Sequence, residues 1–133
     1  MREIRFRGLR TDGKGVVYGS FIHNSIDCPC IIDYDAEQYE VIPESVGQYT
    51  GLKDKNGKEI YEGDLLIDRE FDELGNDISG HYPVIYSEKT AQFCIDNSFK
   101  KDGSHIVSIV TYFGIEGLEV VGTIHEGKEV NNV

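Results

Sequence analysis

With 133 residues, 39% of them hydrophobic, the chain suffices for one ordinary domain whose core needs no disulfide or metal staple. Its net charge of −11, from 24 acids against 13 bases, disfavours a phosphate backbone as partner. No apolar run nears the roughly 20 residues that span a bilayer, so a membrane partner is not expected.

Taken in chain order, alternation with period two dominates. Within Arg2–Arg7, Ile4 and Phe6 share one face while Glu3, Arg5 and Arg7 share the other. That opening alternates in charge and lacks the apolar stretch of a signal peptide, so a cytoplasmic location is expected. Thr11-Asp12-Gly13-Lys14-Gly15 reads as a hairpin loop, because Asp-Gly supplies the positive φ such turns require. Val16–His23 follows as a strand in which Gly19 marks a bulge or a close backbone approach. Cys30–Tyr34 and Tyr39–Ile42 form a second hairpin around Asp35-Ala36-Glu37, which Pro43 ends by removing a donor. Glu44–Tyr49 has little periodicity and reads as a connector. Asn56-Gly57 between extended segments is a strong hairpin signal.

Further on, Leu65–Arg69, Tyr82–Ser87 and Ala91–Asp96 read as strands, and the polar stretch Phe71–Gly80 as a loop. In Ala91–Asp96, Ala91, Phe93 and Ile95 share a face; Gln92, Cys94 and Asp96 face away. The spacing of Ile106, Ile109, Val110 and Phe113, with Ser104 and Gly114 as caps, predicts one short helix or 3₁₀ turn near 105–113, against its β-branched content. Leu118–His125 closes the series with Leu118, Val120 and Ile124 inward. Short, closely spaced strands of this kind build a small all-β barrel or sandwich.

Chemistry-bearing motifs are sparse. There is no phosphate-binding glycine loop, Gly-x-Ser-x-Gly or His-Glu-x-x-His, and the four histidines are widely spaced. Cys28-Pro29-Cys30 could be extended to four zinc ligands by His23 and Cys94 or His81, but the spacing is not that of a zinc site and no second cysteine pair exists. No metal and no cofactor are therefore expected, and the cysteines are read as reduced thiols. The acidic series Glu59, Glu62, Asp64, Asp68, Glu70, Asp72, Glu73 and Asp77 is the densest charge feature. It suits a solvated loop and strand edge; the rivals are a cation site using Glu59, Glu62 or Asp64, or a mimic of phosphate spacing. The first fourteen residues hold five bases (Arg2, Arg5, Arg7, Arg10, Lys14) against Glu3 and Asp12, a strand face that balances the acidic body, with Arg5 and Arg7 beside its acids.

The run Gln48-Tyr49-Thr50-Gly51-Leu52-Lys53-Asp54-Lys55-Asn56-Gly57-Lys58-Glu59-Ile60-Tyr61-Glu62-Gly63-Asp64 closely resembles the signature of the YopX family, small proteins encoded mostly by bacteriophages and prophages. Ile4-Arg5-Phe6-Arg7, Val17-Tyr18-Gly19 and the closing segment from Leu118 to Glu126 add weaker matches. Gly8-Leu9 stands where the family usually has a Trp, and Thr123 where it commonly has an Asn. The resemblance implies an SH3-like barrel over 48–133, with the β-hairpins of 1–47 packed on it as part of a single domain, 1–133. It carries over no catalytic residue, because the family has no established activity. Gly51, Asn56, Gly57 and Gly63 are expected to serve turns. Gln48, Tyr49, Thr50, Tyr61, Tyr82 and Tyr86 are the candidate binding residues, on a sheet edge or in an aromatic groove. The expectation is a non-catalytic interaction module with an unidentified phage or host protein as partner, a homo-oligomer being open. The alternative is an acidic inhibitor that imitates nucleic acid, and after it a metal-dependent enzyme.

Overall fold

The structure, a computed structural model, describes residues 3–23, 29–96, 106–108 and 118–125. Alternating polar and apolar residues form eleven strands here, with no α-helix among the described residues. They are β1 Phe6–Leu9, β2 Val16–Ile22, β3 Cys30–Ile32, β4 Gln38–Glu40, β5 Gly47–Lys53 and β6 Glu59–Tyr61, then β7 Asp64–Asp68, β8 Gly80–Ser87, β9 Gln92–Asp96, β10 Ile106–Ser108 and β11 Glu119–Thr123. A 3₁₀ turn at Pro43–Ser45 separates β4 from β5, with Pro43 at its start, where the missing amide costs nothing.

All pairings are antiparallel and give two sheets, ordered β4-β3-β2-β1-β5-β6 and β10-β9-β8-β7-β11. The chain passes from one to the other at Glu62-Gly63. β5 and β6, expected to open the barrel of 48–133, pair on the β1 side, so the N-terminal hairpins and the signature block share a sheet. Two apolar clusters are buried, the larger drawing on both sheets through Ile60 of β6. Ile60, Leu66, Tyr82, Val84, Ile95, Leu118 and Val120 form the larger, with Leu52 and Phe93 at its rim. Val17, Ile31 and Val41 form the smaller, rimmed by Phe6, Phe21, Tyr39 and Val46. Each fully buried aliphatic side chain contributes about 1.5–3 kcal/mol.

Most strands fall where the alternation places them; the departures trace to strand pairing and to irregularities in it. The connector reading of Glu44–Tyr49 gives way to β5 from Gly47, because Arg7 and Phe6 of β1 pair with Gly47 and Gln48. Ile106–Ser108, expected to be helical, is β10 on the edge of β9, where its β-branched residues are at ease; the rest of 105–113 lies outside the described residues. Cys94 and Ile95 are both buried, so β9 is not one-sided as expected, and Ala91 sits in the preceding turn at φ 54°. Ile124 is 48% exposed rather than inward: the register against β7 shifts between Val120 and Gly122, and this bulge resets the alternation. Ile4 is 61% exposed, since β1 starts only at Phe6. Gly19 is the close approach expected, as a Cβ there would overlap the Ile32 carbonyl.

The turn after β5 is a structural joint. Gly57 takes φ 82°, and its amide bonds the Asp54 carbonyl at 3.0 Å. The Asp54 carboxylate accepts from the amides of Asn56 (2.8 Å) and Lys58 (2.9 Å) with one oxygen and from the amide of Val120 in β11 (2.9 Å) with the other. Lys55 adds an amide bond to the Leu118 carbonyl at 3.1 Å. The turn of one sheet is thus bonded to the closing strand of the other. Burial disfavours the Asp54 charge, but the three amides outweigh it and hold its carboxyl below the usual value. Asp54 therefore adds stability that is present above its unfolded value of 3.8 and is lost as pH falls through the lower folded value. Asp54→Ala should cost about 3 kcal/mol at pH 7 in urea melts, since each buried amide left unpaired costs about 1–3 kcal/mol. The cost should shrink as pH falls below 3.8 and through the lower folded value.

Candidate functional site

Residues on β5 and β6 point alternately to two surroundings. Tyr49 and Tyr61 share one face, their ring centroids 5.4 Å apart, with Tyr18 edge-on to Tyr61 at 5.6 Å. Two guanidiniums close this stack, Arg5 over Tyr49 at 5.0 Å and Arg7 over Tyr61 at 4.9 Å. Both arginines lie beside acids, as expected of the basic arm. Arg5 pairs with Glu59, and Arg7 with Asp64 at 2.6 Å. Arg7 is not on a solvated face, however: the side chains of Arg7 and Asp64 are 10% and 1% exposed. Burial pushes the Tyr61 phenol up to about 12.

On the other face, Gln48, Thr50 and Leu52 line a cleft of about 730 Å³ between the two sheets. Phe6, Phe21 and Val46 complete its side on the first sheet, with the Phe6 and Phe21 centroids 5.7 Å apart. Tyr86 and Phe93, edge to face at 5.4 Å, supply the side on the second sheet. Glu62, at the link between the sheets, is the charged side chain among the described lining residues. Burial lifts its carboxyl above the ordinary value, a hydrogen bond with the Gln48 backbone offsetting this in part. No cation among the described residues pairs with it.

The six candidate binding residues therefore separate. Gln48, Thr50 and Tyr86 meet at the cleft, although the Thr50 hydroxyl is already bonded to the Ile60 carbonyl at 2.8 Å. Tyr49 and Tyr61 belong to the buried stack, and Tyr82 to the larger core. Gly57 and Gly63 have φ of 82° and 93° in turns, as expected, and Asn56 donates its amide to Asp54; Gly51, also expected in a turn, has φ 88° at the irregularity within β5. Phe6, Phe21 and Phe93 were legible as apolar strand residues; their convergence was not, because it depends on which sheets face each other.

The acidic series is dispersed. Glu59 and Asp64 pair with arginines, while Asp72 accepts from the amides of Leu74 (2.9 Å) and Asn76 (2.8 Å) within its own turn. Among the described residues no three His, Cys, Asp or Glu side chains are grouped to hold a metal. Cys30 and Cys94 are buried free thiols; Cys28 lies outside the described residues.

Comparison with known proteins bears on family and fold. The model of the family described as YopX protein matches residues 8–130. The chain belongs to the YopX family. Among solved structures, the crystal structure of protein EF1440 from Enterococcus faecalis matches with a TM-score of 0.63 at 22% identity, over 98% of this YopX chain and 99% of that one. At that identity the likeness speaks for the fold alone. A search of curated proteins gives no match. No helix among the described residues is long and apolar enough to cross a membrane.

The raised carboxyl of Glu62 has a testable sign. A carboxyl whose folded value lies above its unfolded 4.5 gives its full contribution below 4.5 and loses it as pH rises through the folded value. Glu62→Gln should therefore raise the melting temperature at pH 7 and leave it unchanged near pH 4.

Proposed function

We propose that this YopX protein is a non-catalytic interaction module of phage or prophage type, acting in the cytoplasm, whose inter-sheet cleft takes a segment of a partner protein. The observation that carries this is the lining of the cleft. Two aromatic pairs and Leu52 offer apolar surface, and Gln48 and Glu62 offer polar groups, within about 730 Å³. Binding clefts combine apolar walls with a few polar groups in this size range, about 300–1,000 Å³. Aromatic side chains also dominate the energetics of such contacts. Tyr86 is 44% exposed, so its ring is open to a partner.

Selection from a random peptide library against the purified protein tests this. The selected peptides should shift the NMR signals of Phe6, Gln48 and Phe93. They should also lose about tenfold in affinity on Tyr86→Ala, the equivalent of about 1.4 kcal/mol. Peptides that bind elsewhere, or bind Tyr86→Ala equally well, would remove the cleft from the account. The alternative of an acidic inhibitor imitating nucleic acid is favoured by the net charge of −11. Salt separates the two, since many-charge mimicry weakens steeply with ionic strength and an aromatic cleft does not.

A further inference from the structure

Glu62 is the unusual member of the cleft. Its neighbours there are Phe6, Phe21, Leu52, Tyr86 and Phe93, groups that solvate a carboxylate poorly. Charges held in such surroundings are ordinarily paired. Glu59 is paired with Arg5 and Asp64 with Arg7, and the buried Asp54 carboxylate is met by three amides. The Glu62 carboxylate forms no ion pair among the described residues, although the Arg7 guanidinium donates to the Glu62 backbone carbonyl at 3.4 Å. Aromatic faces are themselves attractive to cations and become more so when water is excluded. A carboxylate lining the same cleft as two aromatic pairs therefore has the electrostatics of a receptor for positive charge.

We propose that the cleft selects a basic side chain, the Lys or Arg of a partner's extended segment, and that Glu62 is the residue that recognises it. This rests on the proposed use of the cleft and goes further by fixing the chemistry of what enters. The net charge of −11 acts in the same direction at longer range by steering basic segments toward the protein. Glu62 then trades stability for recognition: its carboxylate is disfavoured while the cleft is empty and is matched when the cation arrives.

The test uses two probes of equal shape, n-butylammonium and 1-butanol, titrated separately into the full chain and followed by NMR at Phe6, Gln48, Tyr86 and Phe93. The ammonium should bind about tenfold more tightly than the alcohol, the scale of a partly desolvated carboxylate and cation–π contact. Glu62→Gln, which keeps the shape of the side chain, should abolish that preference. Equal binding of the two probes, or a preference that survives Glu62→Gln, would overturn the cation inference while leaving the cleft as a binding site. Shifts confined to other surfaces with both probes would overturn this inference together with the use of the cleft.

Discussion

The ion pair between Arg7 and Asp64 is the constraint on which the architecture turns. Arg7 sits on β1 in the first sheet, Asp64 at the start of β7 in the second, and both side chains are nearly inaccessible. Charges placed there must be paired and hydrogen-bonded. Asp64 meets the Arg7 guanidinium at 2.6 Å with one oxygen and the Tyr61 amide at 2.7 Å with the other. Burial still lifts the Asp64 carboxyl above its ordinary value, with Arg7 and the Tyr61 amide opposing it in part. On these terms the pair is a weak source of net stability, and what it does structurally is tie β1 of one sheet to β7 of the other.

From that arrangement the specificity of the signature block follows. Asp64 fixes its end to β1, and Asp54 in its middle binds the amide of Val120. Between them the alternation of β5 and β6 has two tasks. Tyr49 and Tyr61 stack with Arg5 and Arg7 on one side, while Gln48, Thr50, Leu52 and Glu62 look onto the cleft on the other. One short segment thus joins the sheets and lines the space between them. A change in its register by one residue would exchange the two faces and undo both.

The hairpins were legible because their signals are local. Asp12-Gly13 and Asn56-Gly57 announce turns, and alternation from Val16 onward announces a strand. What escaped depends on distant partners. Arg7 alternates like a solvated residue, and nothing beside it in the chain says that Asp64 will bury against it 57 positions later. Asp54 reads as turn chemistry, which it is, but its bond to Val120 spans 66 residues. Ile106–Ser108 has helical spacing with neighbours that propensity alone cannot overrule, and pairing with β9 settled it. Of the cleft, Gln48, Thr50 and Tyr86 were named among the candidate binding residues for their polar or aromatic side chains. Glu62 was read as one acid among eight, because the lack of an ion pair to its carboxylate among the described residues is visible only in three dimensions.

A double-mutant cycle on Arg7 and Asp64 examines the governing constraint most directly. Urea melts of Arg7→Met, Asp64→Leu and the double variant give the coupling between the two sites. Each single change leaves one buried charge unmatched and should cost about 3–5 kcal/mol, whereas the double variant should lie close to the parent. Single costs that simply add, to within about 0.5 kcal/mol, would contradict the claim that this ion pair joins the two sheets.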